Sequence, residues 1–169
     1  FYSDSLSEKD ALLDSIRLQL TETLSLPGSM EFPWNRLDKI GIITSDEAFH
    51  LKALPKSVVV IGGGFIACEF AGIFNGLGAK VVQLYRGVQI LRGFDHDVQD
   101  TLAAEMQKKG IEIRLNINVT ELIRQSDGQI ILKLDAGNEL QADTVMFATG
   151  RVPNVRGLGL LDAGVDVLP

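Results

Sequence analysis

The chain has 169 residues, of which 46% are hydrophobic and 22% charged, and this is the balance of a globular protein able to bury a sizeable core. Its formal net charge of -6 argues against a general attraction to nucleic acid or to anionic membranes, so an anionic ligand would need a local basic site. The sequence has neither an apolar run of about 20 residues nor a basic-then-apolar leader, and we therefore expect a cytoplasmic protein with no membrane span.

The first 40 residues differ in pattern from the rest of the chain. Residues 7–24 predict a helix, with Ser7 as its N-cap and Asp10 three positions later. Its apolar face recurs at helical spacing and comprises Leu12, Leu13, Ile16, Leu20 and Leu24. Residues 25–40 show no period, and a loop or a poorly ordered arm is the default expectation. We therefore separate residues 1–40, of unclear origin, from one domain over residues 41–169.

The next stretch alternates between helix and strand patterns. Its predicted elements, in order, are a short helix from about residue 44 that ends before Pro55, a strand over 57–61, a helix over 65–77, a strand over 80–84, a helix over 95–109 and a strand over 111–115. The first long strand is a continuous apolar run after Ser57, which suits burial on both faces. This order of elements, with short links, predicts a parallel sheet with right-handed crossovers.

The pattern changes again near residue 118. Three segments alternate or nearly alternate, over residues 118–123, 129–134 and 139–141, and turn signals with aspartate and glycine separate them. Residues 143–148 are again apolar and are expected to return to the parallel sheet. The predicted fold class is therefore α/β, a parallel sheet with two crossover helices plus a small antiparallel β-meander.

A glycine motif follows the first long strand. Gly62, Gly64 and Ala67 form the pattern G-x-G-x-x-A at the start of the predicted helix. The first glycine allows a tight turn, the second lets the backbone approach a pyrophosphate, and a small third residue packs the helix close to the strand. Exposed amides and the positive end of the helix, at Phe65 and Ile66, would hold the phosphates. A flexible turn also explains a glycine string, but the strand-loop-helix context favours a Rossmann-like dinucleotide-binding domain.

The end of the second long strand indicates which dinucleotide is bound. NAD-binding versions place an acidic residue about 20 positions after the glycines to bind the ribose hydroxyls. Here that position is Tyr85, followed by Arg86 and, six residues later, by Arg92. An arginine pair suits a 2'-phosphate because each guanidinium donates charge-assisted, bidentate hydrogen bonds. Two solvated loop arginines are the plainer alternative, but next to the glycine motif the pair favours NADP(H) over NAD.

Taken together, these motifs resemble the central domain of glutathione reductases, which are class I pyridine nucleotide-disulfide oxidoreductases. The resemblance covers residues 43–167. The motifs that carry it are Thr44-Ser45-Asp46-Glu47-Ala48, Leu54-Pro55-Lys56, the segment from Gly62 to Ala71, Arg86 with Arg92-Gly93-Phe94-Asp95, and the segment from Ala148 to Asn154. Single motifs are shared with lipoamide dehydrogenase and mercuric reductase, whereas the arginine pair together with Ala67 and Ala71 is typical of the NADP-dependent branch.

The resemblance assigns further roles near the cofactor. Phe65 stands where the family often has a tyrosine that covers the nicotinamide pocket, and Glu69 matches a glutamate that lies near the nicotinamide and pairs with a flavin-side lysine. Gly150 and Arg151 match the sheet-end turn that borders the cofactor. Gly87 stands where relatives commonly carry another basic residue, which leaves at most two arginines for the phosphate. The candidate cofactor-binding residues are thus Gly62, Gly64, Phe65, Ile66, Ala67, Glu69, Arg86, Arg92, Gly150 and Arg151.

The resemblance also implies parts that this sequence does not contain. The complete enzyme would hold FAD in a flavin domain with a redox cysteine pair, would dimerise through a further domain, and would reduce a disulfide such as oxidised glutathione. The chain has one cysteine, Cys68, which we expect to be a buried packing residue inside a helix. His50 and His96 show no partner pattern, so neither a disulfide nor a metal site is expected. We therefore expect an oxidoreductase parent and a chain that is not catalytically complete alone, with no catalytic residue of its own beyond possible support from Glu69.

Two other functions stay open on the sequence. The chain could be a stand-alone NADP(H)-binding module whose N-terminal helix packs on a partner or forms a dimer. It could also belong to a related flavoprotein with another electron acceptor, of the mercuric reductase or transhydrogenase type, because the acceptor site would lie outside this sequence.

Overall fold

The computed structural model describes residues 23–25, 42–151, 155, 157–160 and 162–166. Within these residues there are nine strands, which form two sheets, and three helices. The strands are β1 (Thr23–Ser25), β2 (Ile42–Ile43), β3 (Ser57–Ile61), β4 (Lys80–Tyr85), β5 (Glu112–Leu115), β6 (Val119–Arg124), β7 (Ile130–Leu134), β8 (Glu139–Ala142) and β9 (Thr144–Phe147). The helices are α1 (Ser45–Ala48), α2 (Phe65–Gly76) and α3 (His96–Lys108).

The larger sheet has five parallel strands in the order β2-β9-β3-β4-β5. Helix α2 connects β3 to β4 and helix α3 connects β4 to β5, so these two parallel pairs are each joined through a helix, as short βαβ units require. Strand β9 returns beside β3 with Val59 opposite Val145. Because all five strands run in one direction, the segments that follow β2, β3, β4 and β9 meet at a single carboxyl edge, which is where ligands bind in open α/β sheets.

The smaller sheet is antiparallel, in the order β1-β6-β7-β8. Strands β6, β7 and β8 form the meander, with Leu122 opposite Leu132 in one pair and Leu132 opposite Leu140 in the next. Strand β1 adds to the edge, where Leu24 lies opposite Leu122.

The parallel sheet is packed on both faces, with one apolar cluster against the helices and a second against the meander. Val58 and Val60 of β3 face the residues of α2 and α3, whereas Val59 faces the opposite side. On that opposite side, the meander residues Leu122 and Leu132 complete the second cluster. Both faces of β3 are therefore buried, which explains why its sequence is apolar without alternation.

The predicted fold class is confirmed: a parallel sheet with two crossover helices and a small antiparallel meander. The short strand β2 and the edge strand β1 were missing from the prediction. Residues 23 and 24 were predicted to end a helix and residue 25 to begin the loop or arm, and both predictions are wrong, because all three residues pair with β6. The rest of the predicted helix and the arm from residue 26 to 40 lie outside the described residues.

Candidate functional site

The glycine loop turns tightly between β3 and α2. Gly62 has a φ of +146°, and a Cβ atom there would lie 2.2 Å from the carbonyl oxygen of Ala148. The same position would bring it 3.3 Å from the Cβ of Ala67, so the buried alanine packs directly against the turn. The first position of the motif thus forms a tight turn, and the third packs the helix closely on the strand.

The second motif glycine faces open space. Gly64 is the N-cap of α2 with ordinary extended dihedrals, φ -80° and ψ 176°, and a Cβ atom there would meet nothing within 4 Å. No side chain caps this helix end, so the amides of its first turn, from Phe65 to Ala67, are free to bind an anion. The positive end of a 12-residue helix thus opens onto the carboxyl edge of the sheet.

A buried glutamine of β4, Gln83, binds the glycine loop, although no sequence motif includes it. Gln83 is fully buried in β4, and its Nε2 donates hydrogen bonds to the Gly62 carbonyl oxygen at 3.0 Å and to the Cys68 Sγ at 3.6 Å. A glutamine amid apolar residues of a strand is itself a signal, because a buried amide must find a partner. Here that partner is the peptide of the first motif glycine.

The cleft that we call the arginine cleft lies between the glycine loop, the end of β4 and the start of β6, and has a volume of about 860 Å³. Its described lining residues include the two basic side chains Arg86 and Arg92 and no carboxylate. Both arginines are exposed, and neither has an ion-pair partner in the part of the chain that the structure describes. In a protein of net charge -6, this cleft therefore carries a local concentration of positive charge, of the kind that attracts anions.

The Tyr85 ring lies between two glycines at the floor of this cleft. Gly63 and Gly87 both have φ values outside the left-handed region, so neither glycine is needed for its backbone conformation. A Cβ atom on Gly63 would lie 2.5 Å from the ring of Tyr85, and one on Gly87 would lie 2.4 Å from the other end of that ring. The tyrosine therefore fills the space where a third basic side chain, at position 87, would begin.

We expect Gly87→Ala to destabilise the chain by about 1–3 kcal/mol, because the added methyl group overlaps the Tyr85 ring. The cost should shrink in a Tyr85→Ala background, and a double-mutant cycle in urea unfolding measures this coupling. Gly72→Ala in the interior of α2 is the matched control. It meets nothing within 4 Å and should stabilise by about 0.5–1 kcal/mol. An unchanged cost of Gly87→Ala after removal of the ring would contradict the packing role of Tyr85.

A second cleft, which we call the phenylalanine cleft, opens on the other side of the glycine loop. It measures about 740 Å³ and is lined by Thr44, Ser45, Asp46, Glu47, Gly64, Phe65, Ile66, Phe147, Ala148, Gly150 and Arg151. The Phe65 side chain is 56% exposed at its mouth. Gly64, Phe147, Ala148 and Gly150 line both clefts, so the two form one continuous groove along the sheet edge.

Helix α1 contributes an ordered wall to the phenylalanine cleft. Glu47 accepts a hydrogen bond from the Thr44 amide at 2.7 Å, and Thr44 Oγ1 accepts one from the Asp46 amide at 3.2 Å, which is a capping box. Partial burial works against ionisation of Glu47, but the Thr44 hydrogen bonds outweigh it and hold the pKa of this carboxyl below its ordinary value. Glu47 is therefore an anion already engaged by the cap.

Of the ten candidate residues, eight line the groove and a ninth packs against the glycine turn. Ala67 lies beneath the glycine turn, and the others line one or both clefts except Glu69. Glu69 is exposed on α2, four residues after Phe65, and lines neither cleft. His50 and His96 are exposed, and the described ranges contain no group of three potential metal ligands. No helix in those ranges is long and apolar enough to cross a membrane.

The Cys68 thiol is a packing group within α2. Its side chain is 7% exposed in the core between α2 and the sheet. Burial raises the pKa of this thiol above its ordinary value, which keeps it protonated at neutral pH and suppresses its reactivity, since the thiolate is the nucleophile.

We expect the native chain to react with Ellman's reagent at pH 7 far more slowly than a small thiol does, and to release one equivalent of thiol after unfolding in guanidinium chloride. Rapid, stoichiometric labelling of the folded chain would contradict the packing role of Cys68. A Cys68→Ser variant gives the background of the assay.

Residues 21–168 match the family described as pyridine nucleotide-disulphide oxidoreductase. Over 127 residues the chain is 51% identical to a glutathione reductase of Burkholderia cepacia, a match that covers 74% of the chain and 28% of that protein. A trypanothione reductase of Leishmania donovani is 45% identical over 126 residues, which are 73% of the chain and 26% of the relative. The chain therefore spans little more than a quarter of the length of these relatives.

Solved structures agree with the sequence relatives. A HOCl-induced flavoprotein disulfide reductase from Escherichia coli superposes with a TM-score of 0.70 at 27% identity, over 87% of the chain and 32% of that protein. An engineered water-forming NADPH oxidase, solved with NADPH bound, gives a TM-score of 0.67 at 26% identity, over 86% and 32%. The two-sheet fold, the glycine loop and these matches show that the chain belongs to the pyridine nucleotide-disulphide oxidoreductase family and is glutathione reductase-like, as its motifs predict.

Proposed function

We propose that residues 41–169 are the NADP(H)-binding domain of a flavoprotein disulfide reductase of the glutathione reductase type. The observation that carries this proposal is the arginine cleft. It joins the N-terminus of α2, which no side chain caps, to two guanidinium groups that have no ion-pair partner among the described residues, and its described lining includes no carboxylate. Such a cleft suits an anion with two separate phosphate centres, which distinguishes NADP(H) from NAD.

The groove can hold the parts of the dinucleotide in sequence. The pyrophosphate belongs at the open face of Gly64 and the first amides of α2, since nothing occupies the space in front of that glycine. The adenosine belongs in the arginine cleft, with its 2'-phosphate near Arg86 and Arg92. The nicotinamide then belongs in the phenylalanine cleft, beside Phe65 and near Gly150 and Arg151.

A structural relative supports the assignment of the two arginines. Among its substitutions, the engineered NADPH oxidase has an aspartate replaced by alanine, an arginine introduced directly after it and a second arginine introduced six positions after the first. In this chain Tyr85 stands directly before Arg86, and Arg92 follows six positions after Arg86. The same separation of arginines, without an acidic residue before the first, thus occurs in a protein that was solved with NADPH bound.

The residues of this chain bind and orient rather than react. NADPH supplies a hydride when bound, and in the parent enzyme the acceptor would be FAD, followed by a cysteine pair and a disulfide such as oxidised glutathione. Phe65, half-exposed at the mouth of its cleft, would cover the nicotinamide position. Glu69 lies one helical turn further along α2 and lines neither cleft, so it would support the nicotinamide only when a flavin domain packs against this side of the groove.

Calorimetric titration of the 169-residue chain with NADPH and with NADH tests the proposal. We expect NADPH to bind about 100-fold more tightly at low salt, and the preference to shrink as salt screens the exposed arginines. Circular dichroism shows whether the sample is folded. A folded chain that binds both nucleotides equally, or neither, would contradict the proposal.

A further inference from the structure

Gln99 is a buried polar residue that does not line the arginine cleft but binds the backbone of the segment that carries Arg92. It lies in the second turn of α3, is 5% exposed, and belongs to none of the sequence motifs. Its Nε2 donates two hydrogen bonds of 3.0 Å, one to the Leu91 carbonyl oxygen and one to the Phe94 carbonyl oxygen. Both hydrogens of the amide group are therefore used on a single short segment.

The two accepting carbonyls bracket Arg92. Residues 91–94 form a turn closed by a hydrogen bond from the Phe94 amide to the Leu91 carbonyl at 3.0 Å. Leu91 has a φ of +56°, in the left-handed region that residues with a Cβ atom rarely adopt. The turn is therefore held in place by its surroundings rather than by its own backbone preference.

Two contacts hold the turn against its neighbours. The Leu91 amide donates to the Gly63 carbonyl oxygen at 2.6 Å, which ties the turn to the glycine loop. Gln99 ties it from the opposite side to α3. Arg92 itself is exposed and has no ion-pair partner among the described residues. These backbone contacts therefore determine the position from which its side chain extends.

Arg86 is held by other bonds. The Asn116 amide donates to the Gly87 carbonyl at 3.0 Å and the Ile117 amide donates to the Tyr85 carbonyl at 3.1 Å, so both neighbours of Arg86 are fixed by the segment that follows β5. Loss of the Gln99 amide should consequently displace Arg92 and leave Arg86 in place.

We propose that Gln99 is a positioning residue that holds the turn carrying Arg92 at the distance at which this arginine binds the 2'-phosphate of NADP(H). The proposal rests on the proposed function and deepens it, because it explains how an exposed arginine is presented to the phosphate by a buried amide on the next helix. Gln99 thereby determines nucleotide preference without touching the nucleotide.

Gln99→Met tests this, because it keeps the length of the side chain and removes both donors. We expect NADPH affinity of the 169-residue chain to fall about tenfold, as for the loss of one of two charged contacts, and NADH affinity to stay within about twofold. Gln107→Met is the matched control, the same substitution at an exposed position of the same helix, and should change neither. Gln99→Asn keeps the amide on a side chain that is one methylene shorter, and it should give an intermediate loss of NADPH affinity. This variant replaces Gln99→Met in the test if Gln99→Met does not fold.

A cycle with Arg92→Ala separates positioning from general packing. Once Arg92 is removed, Gln99→Met should have no further effect on NADPH affinity. Effects that multiply, equal losses of NADPH and NADH affinity, or an unchanged NADPH preference in Gln99→Met would overturn the positioning role. Equal affinity of the unsubstituted chain for NADPH and NADH would instead contradict the proposed function itself.

Discussion

Replacing Arg86 and Arg92 together by alanine is expected to weaken NADPH binding about 100-fold, or about 2.7 kcal/mol, while NADH binding stays within about twofold. Each charged hydrogen bond contributes about 1.5–3 kcal/mol, and the exposure of both side chains reduces their sum through solvent screening. Calorimetry at two salt concentrations measures both affinities. The effect of the double substitution should be smaller at the higher salt concentration.

The control for this experiment has to match the change in net charge. Lys56→Ala/Lys80→Ala also removes two exposed positive charges. Lys56 directly precedes β3 and Lys80 begins β4, so both lie at the amino edge of the parallel sheet, opposite the clefts. We expect this variant to bind NADPH like the unsubstituted chain. If both variants lost affinity equally, the effect would come from overall charge and not from a site for the 2'-phosphate.

The two motif glycines should respond to alanine in different ways. Gly62→Ala places a Cβ atom 2.2 Å from a backbone oxygen at a φ of +146°, and we expect it to cost at least about 3 kcal/mol of unfolding free energy. Gly64→Ala meets nothing within 4 Å and has ordinary dihedrals, so it should cost about 1 kcal/mol or less, as an N-cap change. Its methyl group would instead occupy the space for the pyrophosphate and weaken NADPH binding at least about tenfold.

Urea unfolding and calorimetry on the same two variants separate these effects. Gly72→Ala, at an exposed glycine in the interior of α2, reports what the substitution does where neither strain nor ligand is involved. If Gly64→Ala bound NADPH as tightly as the unsubstituted chain, the backbone at Gly64 would not approach the pyrophosphate. If Gly62→Ala were as stable as that chain, the packing of the turn against Ala148 would be contradicted.

The regular elements of the domain could be predicted because their sequence patterns are local. The apolar run that defines β3 lies within the strand itself, and the N-caps of α1 and α3, which are Thr44 and Asp95, directly precede their helices. Strand β2 has only two residues and exists through pairing with β9, about 100 positions later. Strand β1 likewise pairs with β6 across a similar separation. A local sequence pattern cannot indicate pairings between such distant residues. At residues 23 and 24, the local pattern instead continued the apolar face of the predicted helix.

Residues of the groove could be proposed from the sequence where a dinucleotide would require a residue type, but not where a neighbouring residue requires it. Gly64, Arg86 and Arg92 could be assigned because a phosphate needs backbone amides and guanidinium groups. Tyr85 could be recognised only as a position without an acidic residue, since its packing between two glycines depends on the fold. Gln99 sits on a largely polar helix, where a glutamine gives no signal before the loop beside it is known.

The most direct test of the NADP(H) site is its location in the folded chain, observed by ¹⁵N–¹H NMR during titration with NADPH and then with NADH. We expect NADPH to shift the backbone amides from Gly64 to Ala67 and the Nε signals of Arg86 and Arg92, whereas NADH should shift the glycine-loop amides and leave the arginine side chains nearly unchanged. Shifts confined to other parts of the domain, or arginine signals that respond equally to both nucleotides, would contradict a 2'-phosphate site in the arginine cleft.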